Sequence, residues 1–110
     1  MNNLTHGDLK NIWNGQKNLI NKPIFIDFYG DWWVSCKMFM QLLEEVIPEY
    51  RDRVVFYKVD VDKEVDLANI FQIRGIPHFV TISKNGGVSP GGGAMNKDTL
   101  KYFLEGLVLK

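Results

Sequence analysis

Cysteine is all but missing from this chain: Cys36 is the only one in 110 residues. An internal disulfide is therefore excluded, and the cysteine count says nothing of the redox compartment. Histidine is nearly as scarce. His6 and His78 lie far apart, and with one cysteine they make no zinc-ligand spacing. Net charge is lacking too, since 13 basic side chains balance 13 acidic ones, so no overall field favours nucleic acid or an anionic membrane. No apolar run approaches the ~20 residues that span a bilayer. The opening MNNLTHGDLK lacks the charged start and apolar stretch of a secretory signal, and the expectation is a cytoplasmic protein. SPGGGAM has glycines but neither a following lysine nor a G-x-G-x-x-G context, which argues against a phosphate cradle. Asp60, Asp62 and Asp66 resemble calcium-loop ligands, yet Val65 stands where such a loop needs glycine. Neither a metal nor a cofactor is expected.

What is present is ordinary globular material, 45% apolar and 24% charged, long enough to bury one core. The expectation is a single domain over residues 1–110. Leu9, Ile12 and Trp13 fall at helical spacing. PIFIDFYG reads as a buried strand with Asp27 in its middle. The next segment carries Cys36, Phe39, Met40, Leu43, Val46 and Ile47 on one helical stripe, with Pro48 near its end. VVFYKVDV, from Val54, is a second buried strand. KEVDLANIF reads as a short helix stopped by RGIP. HFVTISKNGG is a strand entering a turn at Asn85–Gly86, and VSPGGG is its return, weakened by Pro90 and glycines. Asn96 caps a last helix with the stripe Leu100, Phe103, Leu104 and Leu107. The order α-β-α-β-α-β-β-α predicts an α/β fold, a central mixed sheet flanked by helices on both faces.

That order and three motifs resemble the thioredoxin family over nearly the whole chain, from about Leu9 onward. Thioredoxins carry a strand ending D-F-W-A-x-W and then C-G-P-C-K at a helix start. Here the run is Asp27-Phe28-Tyr29-Gly30-Asp31-Trp32, then Trp33-Val34-Ser35-Cys36-Lys37. The family's G-I-P, with its cis-proline, is matched by Gly75-Ile76-Pro77, and Lys58 stands where the family has a lysine partnering the buried aspartate. The resemblance implies the thioredoxin fold and thiol–disulfide exchange. It also gives Asp27 the part of proton acceptor for the second thiol. The centre departs from the pattern. Trp33 replaces the first, nucleophilic cysteine, Val34 and Ser35 replace glycine and proline, and Gln41 replaces the helix-kinking proline. Asp31-Trp32-Trp33-Val34-Ser35-Cys36-Lys37 is also similar to the D-W-C-V-x-C-K of the thioredoxin-like domain in bacterial membrane reductases.

Dithiol exchange needs an exposed thiolate to attack and a second thiol to resolve the mixed disulfide. Cys36 and Asp27 supply the resolving half, and indole cannot supply the other. Cys36 is then either a small buried hydrophobe or a residual monothiol forming a mixed disulfide with glutathione or a partner. Asp27 and Lys58 are either catalytic or form a retained internal ion pair or solvated crevice with no catalytic use. His78 could approach Cys36, although strand alternation sends it to the other face. A cis Pro77 leaves the backbone of Ile76 free to pair with an extended peptide. Trp32, Trp33, Val34, Ser35, Ile76 and Pro77 then form a partner-binding surface, or the tryptophans merely pack on their own loop. The leading expectation is a redox-impaired binding module for a protein or peptide partner, with no nucleic-acid or membrane role. Its rivals are a monothiol oxidoreductase acting through Cys36 and a cysteine-to-tryptophan variant of an active dithiol thioredoxin.

Overall fold

The computed structural model describes residues 1–110. Alternation along the central strand β2 (Ile24–Tyr29) organises the molecule. Ile24, Ile26 and Phe28 face one core, which they share with Leu9, Ile12 and Leu67. Phe25 faces the other, with Phe39, Leu43, Val46, Leu100 and Leu104. Helices α1 (His6–Ile12) and α3 (Val65–Ile70) therefore cover one face, and α2 (Val34–Tyr50) and α4 (Lys97–Leu109) cover the opposite one.

The sheet has five strands in the order β1-β3-β2-β4-β5. Strands β1 (Asn2–Asn3), β3 (Val55–Asp60) and β2 run parallel, while β4 (His78–Ile82) and β5 (Val88–Gly92) add antiparallel neighbours. This is the mixed sheet between helical layers that the order of elements implied.

Four local details depart from the sequence reading. Strand β1 was not expected: two asparagines carry no strand signal, and only the edge of β3 makes them one. Helix α1 starts earlier than the apolar spacing suggested, because the Thr5 hydroxyl accepts the Asp8 N–H at 3.3 Å. Trp13 falls outside that helix, and its indole N–H donates to the Gly86 carbonyl at 3.0 Å. Met40 and Ile47 are only half-buried, so the fully buried stripe of α2 is Cys36, Phe39, Leu43, Val46 and Tyr50. The Asn85–Gly86 turn forms as expected. Gly86 has φ of +95°, and a Cβ there would lie 2.0 Å from the Gln16 carbonyl oxygen. Asn96 caps α4 by accepting the Thr99 N–H at 2.9 Å.

Candidate functional site

The C-terminal end of β2 delivers the chain through Gly30 into the first turn of α2. Trp33 occupies the N-cap, and its indole makes no capping hydrogen bond. The N–H groups of Val34 and Ser35 have no backbone acceptor, and the first turn carries no acidic side chain. This helix end is open and electropositive. Replacing the indole with a capping carboxylate, Trp33→Asp, should raise unfolding stability by about 1 kcal/mol in urea titration. An unchanged midpoint would mean that solvent already satisfies these groups.

Cys36, one turn further on, is 2% exposed. Burial pushes its thiol above the ordinary value, the Gly30 backbone partly opposes this, and the charge of Asp27 adds to the rise. Cys36 borders an open cleft of about 290 Å³, which is also lined by Tyr29, Asp31, Lys37, Gln41 and Lys58.

Asp27 is fully buried, and neither carboxylate oxygen has a hydrogen-bonding partner. Desolvation raises its pKa to about 7, against the lowering pull of Lys58. The two residues are register partners on β2 and β3, and alternation turns both toward the α2 face. The anticipated direct ion pair is not made. Lys58 Nζ sits 5.9 Å from the centre of the Tyr29 ring, so it acts on Asp27 through space. The long side chain reaches the wetter cleft rather than the dry carboxylate, as the high hydration cost of an ammonium favours.

Trp32 and Trp33 meet edge to face, with ring centroids 4.9 Å apart and planes at 87°. They are 62% and 43% exposed, and Val34 and Met38 beside them are 71% and 66% exposed. The Trp32 indole N–H donates to Asp62 Oδ2 at 2.8 Å, and Asp60 Oδ1 accepts the Asp62 N–H at 2.9 Å. The carboxylates that resembled a calcium loop thus hold an aromatic ring in place. Ser35 and Met38 open onto an apolar groove of about 500 Å³, completed by Phe39, Leu42, Ala94, Met95 and Asn96.

The Ile76–Pro77 peptide is cis. The N–H and carbonyl of Ile76 make no hydrogen bond to the rest of the backbone. Its side chain lies against Gly30, where a Cβ would come within 2.8 Å of Ile76 Cδ1. Gly30 therefore lets the Ile76 loop and the Trp32 loop close on one another. His78 starts β4 with the parity of Val80 and Ile82, which puts it on the face away from α2. Its Nε2 lies 2.7 Å from the Pro90 carbonyl oxygen.

The tryptophans, the open helix end and the cis-proline loop thus gather at one end of the sheet, with the cysteine cleft beside them. The groove residues Met38, Leu42 and Met95 were missed from sequence. Met38 alone left a legible sign, an apolar side chain off the buried stripe in the first turns of the cysteine helix.

The fold is the thioredoxin fold. The structure of chloroplastic thioredoxin z, from work on type-specific target recognition, superposes with a TM-score of 0.84 over 100% of this chain and 96% of its own, at 23% identity. Thioredoxin Mala s 13 of Malassezia sympodialis, described as a member of a pan-allergen family, gives 0.79 over 94% and 86%, at 28% identity. The thioredoxin family model matches residues 10–106. Thioredoxin from Buchnera aphidicola (subsp. Baizongia pistaciae) is 32% identical over 83 residues, which is 76% of either chain. Thioredoxin-T of Drosophila melanogaster is 39% identical over 77% of this chain and 54% of its own length. The chain belongs to the thioredoxin family. Membership points to thiol–disulfide oxidoreductase chemistry. No helix is long and apolar enough to cross a membrane.

Proposed function

We propose that this thioredoxin-family protein is a redox-impaired binding module that receives an extended protein or peptide segment beside its former reaction centre. The observation that carries the reading is the state of its sulfur. One thiol remains, 2% exposed and with a raised pKa, and an indole stands at the helix N-cap where an attacking thiolate would be stabilised. Recognition needs no sulfur. The unpaired backbone of Ile76 is suited to strand addition, the groove of Met38, Phe39, Leu42 and Met95 suits an apolar side chain, and Trp32 and Trp33 supply rigid aromatic contact area.

In an insulin-reduction assay the protein should not accelerate turbidity above dithiothreitol alone. Turnover at the level of a dithiol thioredoxin would sink the reading. Binding is measured separately, by fluorescence anisotropy with fluorescein-labelled, S-carboxymethylated insulin B chain as the extended probe.

One observation favours a second reading, a monothiol function. Cys36 borders a cleft whose lining includes Lys37 and Lys58 as well as Asp31, so a small anionic disulfide such as oxidised glutathione would meet two cations there. In that reaction the Cys36 thiolate attacks one glutathione sulfur, the S–S bond breaks, and the second glutathione leaves as a thiolate that takes up a proton. Mass spectrometry decides. A stoichiometric glutathione adduct on the native protein, absent in Cys36→Ser, supports the monothiol reading, and an unmodified mass excludes it.

A further inference from the structure

The hairpin β4–β5 is irregular at one place. Phe79 pairs with Gly92 and Thr81 with Ser89, so three steps along β5 match two along β4. The extra residue makes a bulge at Pro90 and Gly91. Gly91 has φ of +63°, and a Cβ there would lie 2.0 Å from the Phe79 carbonyl oxygen, so glycine is needed for the chain to turn at that point. Pro90 has no N–H to donate, and it sits at the register shift between the two strands. His78 fills the gap. A carbonyl only accepts, so Nε2 carries the proton and donates across 2.7 Å to the Pro90 oxygen.

This contact joins the two walls of the proposed binding site. His78 directly follows Pro77, whose preceding residue Ile76 offers the free backbone edge. Past the bulge, Gly93 crosses over Pro77, with its ideal Cβ position 3.6 Å from the Pro77 carbonyl oxygen. The chain then supplies Ala94 and Met95 to the apolar groove. The separation between the Ile76 edge and the Met95 wall is therefore spanned by a short bulged segment with three glycines, in which Gly91 N–H donates to Ser89 Oγ at 3.4 Å and the His78 side chain makes the bond across from β4.

We infer that His78 is a positioning residue for partner recognition: by donating Nε2–H to the bulge carbonyl of Pro90, it sets the register of the Gly91–Met95 wall against the Ile76 edge. The inference rests on the peptide-binding reading above, and goes beyond it by assigning this role to a residue that touches no partner itself.

The test uses the labelled, carboxymethylated insulin B chain with wild type, His78→Phe and His78→Gln. Phenylalanine keeps the bulk and loses the donor, whereas the glutamine amide can still donate. Wild type should bind, His78→Phe should bind about three- to tenfold more weakly, as one hydrogen bond allows, and His78→Gln should return to within about twofold. Amide exchange at Gly91–Gly93, measured by NMR on the same samples, should quicken in His78→Phe and recover in His78→Gln. Equal binding by all three proteins overturns the positioning role and leaves the peptide reading standing. Equal weakening in both variants with a common fall in Tm also overturns it, since the role would then be structural. Failure of wild type to bind the probe removes the peptide reading, and the positioning role with it.

Discussion

Trp33→Cys should reduce insulin at a rate roughly tenfold or more above the dithiothreitol background. The receiving position is already prepared. It is the N-cap of α2, followed by unbonded N–H groups that stabilise a thiolate. Cys36 lies three positions later, buried as a resolving thiol needs to be, with the orphaned carboxylate of Asp27 beneath the same region. The ring lost with Trp33 is half in solvent, so its removal leaves no closed cavity. The measurement is insulin turbidity together with a thermal melt of the variant. A folded Trp33→Cys protein without activity would show that Val34, Ser35 and Gln41 have altered the centre beyond one missing sulfur.

Stability should fall as pH rises from about 4 to about 8, and Asp27 should be the cause. Its folded pKa of about 7 lies above the ordinary value of 3.8. Between those values the folded chain holds a proton that the unfolded chain releases. The associated stabilisation is thus complete below pH 3.8 and is lost as pH passes 7. At pH 8 the ionised carboxylate sits buried without a hydrogen-bond donor, at a penalty of up to roughly 4 kcal/mol. Asp27→Ala should therefore be more stable than wild type at pH 8 by a few kcal/mol, with the gap closing toward pH 4. Urea unfolding at several pH values checks it. Parallel pH curves for the two proteins would refute the assignment. The same substitution removes a charge that raises the Cys36 pKa, so iodoacetamide should label Cys36 at lower pH in Asp27→Ala.

Legibility from sequence followed the range of the interactions. The strand β2 could be read because nearly every residue in it is apolar, as burial on both faces requires. The caps of α1 and α4 and the glycine of the β-turn are local devices, with donor and acceptor only a few residues apart. Apolar spacing gives no sign of the Thr5 cap, because the first turn, His6–Asp8, holds no apolar side chain. At the site, the sequence put Trp33 three residues before Cys36 at a helix start and marked Asp27 as an unusual strand residue. It left an ion pair and a solvated crevice both open for Asp27 and Lys58, because register partnership fixes where two backbones lie and leaves a long side chain free to choose its solvent.

The amino-acid order alone determined the alternating strands and helices, the single sulfur, and the indole at a helix start, since these depend on periodicity and residue chemistry within a few positions. Only the assembled tertiary structure decided that Asp62 holds Trp32 from 30 residues away, that His78 reaches Pro90, and that Asn2 and Asn3 become a strand. Those contacts join segments whose proximity comes from the packing of the whole sheet, and no local pattern encodes which distant donor will meet which acceptor.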